Sequence, residues 1–160
     1  MRKVKKFKLT SEFIVDISGV KLFRIKALIE FGNVKAGDLG GYIEKEENLS
    51  HMGDAWVSDD ARISGDAQVF GNARVSGDAQ VSGDARVSGD KDYAYAHGFG
   101  SCNRTTTFFR LKDGDVGVRC GCFYGTLAQF RDKVCETHGE TKKAQEYLML
   151  ADLMEIRFKN

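Results

Sequence analysis

A six-residue repeat constrains this chain more than any other feature. From Gly53 the sequence runs GDAWVS, DDARIS, GDAQVF, GNARVS, GDAQVS, GDARVS. Alanine recurs at Ala55, Ala61, Ala67, Ala73, Ala79 and Ala85, and a β-branched residue follows two positions later at Val57, Ile63, Val69, Val75, Val81 and Val87. Side chains alternate faces in extended backbone, so each Ala and its β-branched neighbour point the same way. Trp56, Arg62, Gln68, Arg74, Gln80 and Arg86 lie between them and point outward. Each repeat closes on a Gly-Asp type corner, where glycine permits a sharp bend and Asp or Asn can bond nearby backbone.

A single short strand cannot bury its Ala/Val face, but stacked coils can. Two flat sides per coil would place Arg62, Arg74 and Arg86 in one ladder of like charge. Three sides put Gln80 over Arg62, Gln68 below Arg86 and Trp56 against Arg74. Stacked like charges destabilise, whereas an arginine over an exposed indole gains roughly 0.5–1 kcal/mol. The three-sided prism is therefore the expected shape. Asp60 still falls below Asp78 in it, so the carboxylates are expected to be used locally at the corners.

The spacing of an aliphatic residue and a small one four later, as in Val69 to Ala73, resembles the hexapeptide-repeat superfamily. That resemblance implies a left-handed parallel β-helix over residues 51–92. The left hand comes from the resemblance alone, since parallel crossovers are ordinarily right-handed.

The flanks give the rest of a mainly β fold. Residues 1–50 read as an N-terminal β-hairpin and glycine-rich cap: Phe13 to Ile17, a Ser18-Gly19 turn, then Val20 to Ile29, with Phe23, Ile25, Ala27 and Ile29 on one apolar face. The stretch GNVKAGDLGGYIEKEENLS reads as an irregular connection that caps the open prism. Arg2, Lys3, Lys5, Lys6 and Lys8 are expected on a solvated edge strand. Residues 93–160 read as a C-terminal hairpin plus two helices. Thr105 to Leu111 and Val116 to Cys122 flank an Asp113-Gly114 turn. Thr126-Leu-Ala-Gln129 is a capping box opening a helix to His138, and Thr141 starts a second helix running to Phe158. Leu148, Leu150, Leu153 and Met154 on that helix exceed what one hairpin can cover. Self-association as a trimer or dimer is the expected outcome.

The segment LFRIKALIEFGNVKAGDLGGYIEKEENLS, the GDARV-type repeats and CGCFYGTLAQFRDKVCETHG together resemble phage- and prophage-encoded proteins with a glycine-rich lead-in, a variable number of hexapeptides and a helical tail. This similarity implies a phage product acting in the bacterial host cytoplasm.

Chemistry is thinly supplied. Formal net charge is +1, so nothing global argues for a nucleic-acid partner, and no specific nucleic-acid binding is expected. No apolar run approaches a membrane span, and no signal peptide is expected. Hexapeptide proteins include many acyltransferases that use a histidine base and coenzyme A. His97 is the one plausible base here, but a prism of fewer than three coils is short for a coenzyme A groove. Cys120 and Cys122 are one residue apart rather than two, against a zinc knuckle. With Cys102 and Cys135 they are expected to be reduced thiols. Aspartate corners at a six-residue period do not match the nine-residue calcium repeat. No catalytic residue, metal or cofactor is expected.

The repeat breaks where Lys91 replaces alanine. The segment after it carries Tyr93, Tyr95, His97, Ser101, Asn103, Arg104, Thr106 and Arg110, residue types suited to an aromatic, phosphorylated ligand. A prism cap is the alternative use for the same residues. The expected function is non-catalytic: a phage counter-defence effector that binds or sequesters a host defence component, either a protein or a nucleotide second messenger. A structural oligomerisation module and an acyltransferase-like enzyme are the alternatives.

Overall fold

The structure is a computed structural model and describes residues 5–100, 104–121 and 123–159. Its centre is a β-solenoid made of six two-residue strands: β4 (Trp56–Val57), β5 (Arg62–Ile63), β6 (Gln68–Val69), β7 (Arg74–Val75), β8 (Gln80–Val81) and β9 (Arg86–Val87). Three strands precede them, β1 (Phe7–Val15), β2 (Lys21–Ala27) and β3 (Leu39–Ile43). Four follow, β10 (Tyr93–Phe99), β11 (Arg104–Arg110), β12 (Val116–Cys120) and β13 (Phe123–Thr126), and then α1 (Leu127–His138) and α2 (Lys142–Arg157).

Each solenoid strand pairs in parallel with the strand one coil on. Trp56 lies opposite Arg74, Arg62 opposite Gln80 and Gln68 opposite Arg86. These registers give three sides to each coil. The inward residues form a dry core, with Val57, Ile63, Val69, Val75, Val81, Val87 and every repeat alanine fully buried. At the corners, carboxylates act mainly between coils rather than locally. Asp59 stands where most repeats have glycine, keeps a left-handed backbone (φ 56°), and accepts the Gly77 N–H of the next coil at 3.0 Å. Asp66 pairs with Lys45 at 2.7 Å, and Asp90 accepts the Arg74 N–H at 3.2 Å.

The N-terminal segment is more than a hairpin and cap. β1, β2 and β3 form an antiparallel ladder, and β3 then pairs in parallel with β5, placing Tyr42 opposite Arg62 and Ile43 opposite Ile63. Leu49 bridges to Val69 in the same sense. The expected irregular connection therefore forms part of an extra coil. Gly40 and Gly41 permit it, because a side chain at either would collide with backbone oxygens of Val57 or Ala61. Register irregularities in β1 and β2 disturb simple alternation. Leu22, Ile25 and Ala27 are buried, while Ile29 is exposed.

Lys6 corrects the expectation of a solvated basic edge. It is 1% exposed, its Nζ donates to the Ala55 and Gly53 carbonyls, and it lies 4.7 Å from the Phe31 ring centre. Its backbone N–H donates to His51 Nδ1, whose ring stacks on Phe7 and gives its other nitrogen to Glu46 at 2.7 Å. Phe7 and Phe31 thus close one end of the solenoid core.

The C-terminal segment is a four-stranded antiparallel sheet, β10-β11-β12-β13, rather than a hairpin. One face closes the other end of the solenoid. Phe109 enters the same core, with Tyr93 and Leu111 against it, and Gln80 N–H donates to Thr107 Oγ1 at 2.9 Å. The opposite face carries Phe108, Val116 and Val118 against α1 and α2. The Thr126/Gln129 capping box and the Gly139 end of α1 are present. Met154 is buried and Leu148 and Leu150 are partly covered, so the exposed row on α2 is Met149, Leu153 and Ile156.

Candidate binding groove on one solenoid side

One side of the solenoid is the five-stranded sheet β1-β2-β3-β5-β8. Its outward row passes from Arg24 through Tyr42 and Arg62 to Gln80, in pairing register. The C-terminal sheet rises beside the end of this row. Tyr42, Arg62 and Gln80 become the floor of a groove of about 490 Å³, with Ile14, Asp60, Asp78, His97 and Thr105 around it. The corner stacking that brings Asp60 below Asp78 contributes both carboxylates to one edge.

The neighbouring contacts are firm. Arg24 donates to Glu12 at 2.7 Å and to the Gly40 carbonyl at 2.8 Å, and its guanidinium lies over the Tyr42 ring at 4.5 Å. Burial works against its charge, but the bonds from Glu12 and Tyr42 outweigh that and raise its pKa. Asp16 in the β1–β2 turn reaches Arg119 of β12 at 3.8 Å, both side chains being nearly covered, so the hairpin is tied to the C-terminal sheet.

The three repeat arginines differ in this setting. Arg74 bonds Asn33, and Arg86 bonds the Asp66 and Ala85 carbonyls. The Arg62 backbone N–H donates to the Ala79 carbonyl at 2.9 Å, but its guanidinium makes no hydrogen bond or ion pair among the described residues. It is a half-buried cation facing the groove with its donor capacity unused.

The described residues among those expected around the broken repeat lie on two opposite faces. Strand alternation separates them. Tyr93, Tyr95 and His97 face the solenoid, whereas Thr106 and Arg110 face the helices. Tyr93 donates its hydroxyl to the Arg74 carbonyl. Tyr95 lies over Gly77. Thr106 is buried and donates to Cys120 Sγ at 3.3 Å. Cys120 also lies 3.8 Å from the Tyr147 hydroxyl, which burial, then the neighbouring thiol, pushes up to about 12. Arg110 pairs with Asp92 at 3.1 Å and meets the Phe158 carbonyl and ring. Arg104 is exposed, is engaged, and lies over Gly121. Ser101 and Asn103 lie outside the described residues, as do Cys102 and Cys122. Of the six described, His97 alone lines the groove; its Nδ1 is 2.8 Å from Thr105 Oγ1.

Arg62, Gln80, Asp60 and Asp78 were visible as a repeat register, but nothing local marked them as a site. Their importance comes from the C-terminal sheet that turns a flat side into a groove. Among the described residues, no group of three or more His, Cys, Asp or Glu side chains is placed to hold a metal ion. No described helix is long and apolar enough to cross a membrane.

A family model for the YdcK beta-solenoid repeat matches residues 67–81 and 79–90. The similarity covers the later coils and bears on their repeat fold. No curated protein matches the chain.

Proposed function

We propose that this protein is a non-catalytic binding module whose target is a protein segment seated in the groove over Tyr42, Arg62 and Gln80. The observation that carries the reading is Arg62, a half-buried cation without a partner among the described residues, set between two carboxylates and a histidine. The groove offers a donor for a carboxylate at Arg62, an acceptor for an amine or amide at Asp78, a second at Asp60, which Arg24 also approaches at 3.8 Å, and an amide at Gln80. Such mixed polarity suits a peptide. Asp60 and Asp78 would repel a phosphate, which favours the protein over the nucleotide signal as occupant here.

The resemblance to phage- and prophage-encoded proteins supplies the setting: a counter-defence effector in the bacterial host cytoplasm that sequesters a host defence protein. The hexapeptide resemblance likewise supports a left-handed coil. Self-association as a dimer or trimer belongs to the same reading and is checked by light scattering. The test of function is capture from host lysate with wild-type protein and Arg62→Glu. A discrete host protein retained by the wild type and lost from an equally stable variant supports the proposal. Identical profiles would contradict it.

One observation favours a second reading, acyl transfer: His97 opens onto the groove. Turnover of acetyl-coenzyme A with an amine or sugar acceptor, abolished by His97→Ala, would establish that reading instead.

A further inference from the structure

A second concavity lies where the C-terminal end of α2 meets the turn at Asp90–Asp92. It has a volume of about 530 Å³ and is lined by Lys91, Arg110, Leu153, Ile156, Arg157 and Lys159. Its charge is one-sided. Four cations line it and, among the described residues, no carboxylate does. The acids flanking Lys91 and those beside Leu153 and Ile156 are already engaged: Asp90 accepts the Arg74 N–H, Asp92 accepts from Ser88 and Arg110, and Asp152 and Glu155 pair with Arg131. Partial burial works against the Asp92 carboxylate, but the Ser88 and Arg110 bonds prevail and hold it below its usual range.

The guanidinium groups are anchored at the wall. Arg110 is held by Asp92 and the Phe158 carbonyl, and Arg157 donates to the Asp90 carbonyl at 3.2 Å. Lys91 and Lys159 have no side-chain partner among the described residues. A helix C-terminus favours one or two cations by its dipole. That accounts for Arg157 and Lys159, which belong to this end of the chain. It does not account for Lys91 and Arg110, which arrive from other elements. Beside the cations are Leu153, 54% exposed, and Ile156, 71% exposed. Anchored guanidinium groups, free ammonium groups and an aliphatic wall describe an amphipathic anion site.

We infer that this cleft binds a small phosphorylated organic anion. Lys91, Arg157 and Lys159 take the phosphate, and Leu153 and Ile156 cover the ligand's apolar or ring portion. The volume falls in the range of small-molecule sites. Charge-assisted bonds to phosphate supply the recognition. The site is separate from the groove at Arg62, whose carboxylates disfavour the same ligand.

The probes are AMP, adenosine and inorganic phosphate, titrated calorimetrically into the full chain. AMP is expected to bind, with adenosine and phosphate each weaker. Lys91→Glu combined with Lys159→Glu is expected to lower AMP affinity by at least about tenfold, and Arg62→Glu to leave it unchanged. Both lysines are exposed, so the double variant is expected to keep the wild-type melting temperature. Chemical-shift changes confined to residue 91 and residues 153–159 give a readout on the wild-type protein alone. Absence of AMP binding at millimolar concentration, or binding indifferent to the charge reversal, would overturn the inference. So would phosphate binding as tightly as AMP, which removes the apolar contact. Preference for a polyglutamate peptide would replace the small anion with a protein partner. Co-sedimentation with phosphatidylglycerol vesicles without AMP binding would replace the free ligand with a membrane headgroup.

Discussion

Lys6 and Val75 show what single residues contribute. Desolvation lowers the Lys6 pKa from 10.5 to about 8; Asp54 opposes this and Arg74 adds to it. Between these values the unfolded chain holds a proton that the folded chain has released. Stability therefore rises with pH across roughly 8 to 10.5, and the cost of burying the charge is fully present below pH 8. The expected outcome is a melting temperature that climbs over that window in the wild type and climbs less in Lys6→Met. Parallel profiles for the two proteins would show that Lys6 is not buried as a strained cation. Val75 tests the inward assignment. Val75→Asp places an unpaired carboxylate in a fully buried position and is expected to cost about 3 kcal/mol or more in chemical denaturation. Arg74→Asp, on the outward side, loses the Asn33 bond and is expected to cost about 1 kcal/mol.

At the scale of elements, the solenoid corners and the sheet that closes them depend on close approach. Gly83 has φ +65° and lies under the Tyr124 ring, where an added Cβ would fall 1.9 Å from the hydroxyl oxygen. Gly37 also has positive φ, +94°, with nothing within 4 Å of an added Cβ. Both alanine substitutions strain the backbone, but only Gly83→Ala displaces Tyr124 as well. It is expected to lower the melting temperature clearly more than Gly37→Ala; equal losses would mean that β13 does not rest on that corner. The repeat strands and both helices were legible because each has a strong local signature: the six-residue alternation, the Thr126/Gln129 box and the Gly139 stop. β3 and β10 were not. β3 contains Gly40 and Gly41, which read as loop residues until a neighbouring coil requires their missing side chains. β10 reads YAYAHGF, and its alternation of large and small residues acquires meaning only between a solenoid and a helix layer.

In the whole molecule, two end closures and the long hairpin turn a simple prism into one with unequal sides. Two sides have their arginines occupied by Asn33 or by backbone carbonyls, and on the third the Arg62 side chain has no partner among the described residues. The candidate site was illegible for this reason. His97 stood out as a residue type, yet its companions come from Asp60, Arg62 and Gln80 rather than from its own segment. The most direct measurement is site-specific photo-crosslinking in the bacterial host, with a photoreactive amino acid at Gln80 in the groove and, separately, at Gln68 on another side. A discrete host-protein adduct is expected from position 80, disappearing when Arg62→Glu is added, and none is expected from position 68. The same adduct from both positions, or one from position 80 that survives Arg62→Glu, would contradict the proposed binding site.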